Sequence, residues 1–135
     1  MRALLLLAFA AALVASGSGS AAETASTTSL TVTYWPNGPG KGGKRTWTVA
    51  CTLARGTLAK PAVACRKLAA GGAKLFAPTP RNAVCLAIYG GPQVARVVGR
   101  VKDQQIWTGL SRQDGCAISR WDRLSPWLLP RGNID

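Results

Sequence analysis

The stretch SLTVTYWPNGPGKGGKRTWTVACTL, residues 29 to 53, holds two runs that alternate apolar and polar residues around a glycine-rich middle. In 29–35 the apolar positions Leu30, Val32 and Tyr34 share one face; in 45–53 Trp47, Val49 and Cys51 do. Both runs are rich in β-branched residues, so the pair reads as a β-hairpin joined by a flexible loop. That loop, NGPGKGGK, has glycines and lysines but matches neither phosphate-cradling glycine motif.

Working outward, ARGTLAKPAVACRKLAAGG predicts a helix. Pro61 stands in its first turn, Val63, Leu68 and the alanines are its apolar positions, Arg66 and Lys67 lie outside, and Gly71-Gly72 stop it. PQVARVVGRV and QQIWTGLS flank Lys102-Asp103 as a second hairpin. Beyond them Cys116, Ile118, Trp121, Leu124 and Trp127 predict a short helix ending at Pro126. Strands with intervening helices in about 110 residues indicate α+β, an antiparallel sheet with helices on one face. Trp47 is expected in the core and Trp107 opposite Ile106; the sequence does not place Trp121 and Trp127.

At the start, Met1-Arg2, an apolar run to Ala15 and SGSGSAA have the charge, core and small-residue end of a secretory leader, expected as residues 1–22. The apolar run is short for a membrane span. Export makes four cysteines read as two disulfides. Of three pairings, the spacing favours the sequential one, Cys51 with Cys65 and Cys85 with Cys116, because each pair closes its own modest loop. The first bridge would pin the first helix to the sheet.

The chain has 17 basic and 5 acidic side chains, net +12; without Arg2 the mature net charge is +11. Such a surface attracts polyanions. The bases are spread along the sequence, among them Arg96, Arg100, Arg112, Arg120 and Arg123, so no specific nucleic-acid groove is expected. There is no histidine. Imidazole-based hydrolysis and imidazole metal ligation are therefore excluded, and Asp103, Asp114 and Asp122 read as turn and helix-edge residues rather than an acid–base pair. No catalytic residue, metal or cofactor is expected.

AVCLAIYGGP, residues 83 to 92, is apolar, carries Cys85 and runs into Gly-Gly-Pro. One reading is a buried strand; the other is an extended segment held at its base by Cys85 and shown to a protease cleft, which takes such segments as an added strand. The order of features resembles the subtilisin-inhibitor-like family of secreted bacterial serine protease inhibitors. The resemblance spans residues 29–128, leaving 23–28 as a flexible N-terminus and 129–135 as a tail. It rests on the leader, the four cysteines, CTLARGTLAKPAVACRKL around the first bridge and VCLAIYGGP as the reactive loop.

The resemblance implies a five-stranded antiparallel sheet with two short helices, sequential disulfides, often a homodimer, and no enzymatic activity. It also implies a scissile bond between Ala87 (P1) and Ile88 (P1′), with Val84, Cys85 and Leu86 at P4, P3 and P2 and Tyr89 at P2′. The partner would be a secreted subtilisin-like, or elastase-like, serine protease, with no membrane attachment once the leader is gone. Leu86 stands where the family has proline, and Gly90-Gly91 make the exit one residue longer, both loosening the loop. Leu53 and Lys60 also depart from the family pattern. A competing reading keeps the scaffold but not inhibition, the basic surface holding an anionic polymer, surface or protein.

Overall fold

In a computed structural model, residues 26–132 are described, together with Gly17 and Gly19; the leader expected at 1–22 and the last three residues lie essentially outside the described residues. The first hairpin forms as its alternation requires. Strand β1 (Ser29–Trp35) pairs antiparallel with β2 (Arg45–Ala50), setting Leu30 opposite Val49 and Val32 opposite Trp47. Strand β3 (Val94–Val101) adds to the other edge of β1, and β4 (Gln104–Ser111) to β3, giving the order β2-β1-β3-β4. The β3–β4 turn puts Lys102 and Asp103 at φ of 49° and 66°, the left-handed pair a two-residue hairpin demands.

Among the described residues the sheet has four strands, not the five that the resemblance implied. Residues 83–92 join no ladder: they touch the rest of the chain through isolated backbone bonds, and Pro92 has no N–H to give. The second apolar run is also shorter than the sequence suggests, since Cys51 and Leu53 fall in the turn after β2.

Period-two alternation leaves Trp35, Val98 and Trp107 on one side and sends most large apolar strand residues to the other. Leu30, Val32, Tyr34, Val49, Ala95, Val97, Val101, Ile106 and Leu110 are buried there. Helix α1 (Pro61–Gly71) contributes Ala64 and Leu68 to this core, and α2 (Gly115–Leu124) contributes Trp121 and Leu124. At roughly 1.5–3 kcal/mol for each large side chain, this one-sided core is the main source of stability. Gly99 lets β1 and β3 close up, because a Cβ there would run into the Ser29 carbonyl.

Both bridges are closed, Cys51–Cys65 and Cys85–Cys116, in the sequential pairing. The first ties α1 to the end of β2. After α1 a 3-10 turn (Gly72–Phe76) buries Phe76, and the chain then runs without regular structure to β3. Trp121 is fully buried, its indole N–H donating to the Pro130 carbonyl at 2.8 Å, while Trp47 Nε1 donates to Leu128 O at 3.0 Å. Leu128 and Leu129 are buried with them, and Trp127 is half-buried against the core.

Candidate functional site

Residues 81 to 89 are all exposed, and four of them are large apolar side chains, Val84 (95%), Leu86, Ile88 and Tyr89 (65%). A run of this kind does not arise from core packing, and contiguous exposed apolar surface marks an interaction site. The alternative reading of AVCLAIY as a buried strand is overturned, because no face of it is covered.

The segment is a bow whose two ends are tied to one short stretch, residues 112 to 116. At its upstream end Cys85 is bridged to Cys116, with Cα atoms 5.2 Å apart, and the Leu86 carbonyl accepts the Gly115 N–H at 2.9 Å. At its downstream end the Gly90 N–H donates to the Arg112 carbonyl at 2.7 Å, and the Gly90 carbonyl accepts Arg112 Nε at 3.0 Å. Between these ends the Ile88 N–H donates back to the Leu86 carbonyl at 2.9 Å, closing a three-residue turn centred on Ala87. Ala87 is therefore at the crest, and the bow is turned there rather than extended throughout.

The stretch that receives the bow is itself fixed by its sequence. Asp114 caps α2, its carboxylate accepting the Ala117 N–H at 2.8 Å, which sets where the helix starts and so where Gly115 and Cys116 stand. Asp114 also lies near the two sulfurs of the bridge, but both thiols are spent in the disulfide, so this is no thiolate metal site. Gly90 is buried; a Cβ there would lie 2.8 Å from Ile118 and 3.1 Å from the Arg112 carbonyl, so only glycine seats the downstream end.

Arg112, expected among solvated cations, is 6% exposed. Its Nη1 pairs with Asp122 at 3.0 Å, and its guanidinium lies 5.9 Å from the centre of the Trp121 ring. Arg120 straps α2 to the chain before the bow and to β4, donating to Ala77 O and to Thr108 Oγ1. Burial, and then the nearby Arg123, push its pKa below the ordinary guanidinium value. Reasoning from sequence found Cys85 and Cys116 but missed Arg112 and Gly115. For Gly115 a signal existed, its place between the cap Asp114 and Cys116; for Arg112, 22 residues from Gly90, none did.

The opposite face of the sheet is bare. Trp107 (70% exposed) points outward, as expected from its place beside Ile106, and Arg96 lies between Trp35 and Trp107, 5.7 and 5.8 Å from their ring centres.

No family model matches the chain, and no curated protein does. Among solved structures it is similar to a chain of the crystal structure of Streptomyces caespitosus sermetstatin in complex with Bacillus licheniformis subtilisin. The match covers 78% of this chain and 99% of that one, at 21% identity and a TM-score of 0.50. At that identity the likeness is one of fold.

Proposed function

We propose that the protein is a secreted inhibitor of subtilisin-like serine proteases, with residues 84 to 89 as the segment that enters the protease cleft. The observation that carries this reading is the bow: an exposed apolar run tied at both ends to one segment. A ligand already held in its bound shape loses little entropy on docking, which is how interfaces of ordinary size become tight. The likeness in fold to sermetstatin, which is bound to subtilisin in its own structure, supports the reading.

In this reading Ala87 is P1 and Ile88 P1′; Val84, Cys85 and Leu86 occupy P4 to P2 and Tyr89 P2′. The chain supplies shape, not chemistry, in keeping with its lack of histidine. The P1 methyl group suits a shallow pocket, of subtilisin or elastase type, and leaves a deep one unfilled, forfeiting about 1.5–3 kcal/mol. Trypsin, which selects a cationic P1, is expected to be inhibited weakly.

The test is titration of oxidised, leader-free protein against subtilisin and an elastase-type protease, with mass analysis. Stoichiometric inhibition with slow nicking between Ala87 and Ile88 is expected. Rapid cleavage without inhibition, or inhibition of trypsin in preference to subtilisin, would overturn the reading.

A second reading draws on the outer sheet face. Arg96 is held over two indole rings yet donates to no protein acceptor among the described residues, Arg100 follows four residues on in β3, and none of the four strands carries an acidic residue. Such a fork suits an acidic group on an extracellular polymer. Retention on an anionic resin that falls steeply with salt and with Arg96→Ala supports it. The resemblance also implies a homodimer, for which mass doubling with concentration in sedimentation is the test.

A further inference from the structure

We propose that Arg112 is a positioning residue that holds the downstream end of the bow, so that the chain stays in place when the Ala87–Ile88 bond is cut. This rests on the inhibitory reading. In that reaction the protease serine oxygen bonds to the Ala87 carbonyl carbon, the C–N bond to Ile88 breaks, and the Ile88 nitrogen takes a proton and leaves as an amine. Resynthesis runs the same step backwards: the amine re-forms the C–N bond, the serine oxygen is expelled, and the proton returns to it. The balance between the two directions depends on how near the amine remains.

The upstream half cannot leave, because Cys85 is bridged to Cys116 and Leu86 is bonded to Gly115. The downstream half has no such bridge. Only Ile88 and Tyr89 separate the new amine from Gly90, whose N–H and C=O both bond to Arg112. A two-residue tether keeps the amine at high effective concentration beside the acyl group. Arg112 can serve because a second donor and its face are engaged: Nη1 pairs with Asp122, and the guanidinium lies over Trp121. The backbone of Gly132 covers it from the C-terminal side, where a Cβ would run into the guanidinium. Lysine has no planar fork with which to serve Gly90 and Asp122 together.

The experiment compares wild type with Arg112→Gln, Arg112→Lys and Gly132→Ala. For each, the inhibition constant against subtilisin, the ratio of cleaved to intact protein at equilibrium and the exchange rate of the Gly90 amide are measured beside the melting temperature. The Arg112 variants are expected to shift all three by about tenfold toward weaker binding, more cleaved form and faster exchange, the scale of one charge-assisted hydrogen bond. Gly132→Ala, which disturbs Arg112 without touching the bow, shifts them the same way by less and carries the test if the Arg112 variants do not fold. If wild type inhibits and every folded variant behaves as wild type, the role of Arg112 is overturned while the inhibitory reading stands. If wild type does not inhibit, the inhibitory reading falls and the resynthesis role of Arg112 falls with it, even if the Gly90 amide still exchanges faster in the variants.

Discussion

The Cys51–Cys65 and Cys85–Cys116 bridges have the same chemistry and opposite surroundings. Cys51 and Cys65 are half-buried against the core, where α1 already packs Ala64 and Leu68 on the sheet. Cys85 belongs to a segment with no packing of its own, and its bridge substitutes for a core. The first reinforces a geometry that hydrophobic burial also favours; the second maintains one that burial would oppose, since four large apolar side chains stand in water. Cross-linking is thus what allows an apolar segment to stay exposed without collapsing onto the protein.

Removing each bridge is the strongest test of this contrast. Cys85→Ala with Cys116→Ala should cut inhibition of subtilisin at least a hundredfold and turn residues 85 to 89 into an ordinary cleavage site, as preorganisation is lost. Cys51→Ala with Cys65→Ala should lower the unfolding free energy by about 3 kcal/mol in denaturant titration, for a loop of sequence separation 14, yet leave inhibition by the folded fraction within a few fold. Similar losses of inhibition from both pairs would erase the distinction.

Next in size is Gly90→Ala. Its Cβ would press on Ile118, costing about 1–3 kcal/mol by overpacking and weakening inhibition as the downstream end lifts. Pairing it with Ile118→Ala should restore part of the inhibition, which a titration reads directly. Smaller again, Ala87→Leu should tighten binding to a protease with a deep apolar S1 pocket by about tenfold with no change in melting temperature, since the crest packs against nothing. Least of all, Trp107→Ala on the outer sheet face should leave inhibition unchanged while reducing salt-sensitive retention on an anionic resin.

Some of this architecture is readable before any coordinates. Period-two alternation at Leu30, Val32 and Tyr34 and at Trp47 and Val49 assigns the inner face, because a strand has only two sides. Pro61 and Gly71-Gly72 bracket α1 because proline suits a first helical turn and glycine ends one. Strand count was not legible, since 83–92 has the composition of a strand, and whether it pairs depends on which neighbours have free backbone groups. Trp121 and Trp127 were likewise undecided: both are apolar residues near the C-terminus, and only packing buries the first completely and leaves the second half-covered.

The sequence by itself determined the one-sided sheet, the limits of α1, the absence of imidazole chemistry and the identity of the exposed segment's residues, all of which follow from local spacing and composition. Only the tertiary structure decided that the bow's two ends meet one stretch, that Ala87 stands at its crest, and that Arg112 is buried beneath Gly90. Those depend on residues 22 to 31 positions apart, whose meeting is set by how the second hairpin and α2 fold back on the sheet. No local pattern encodes such a meeting, because its free energy arises only once the core has formed.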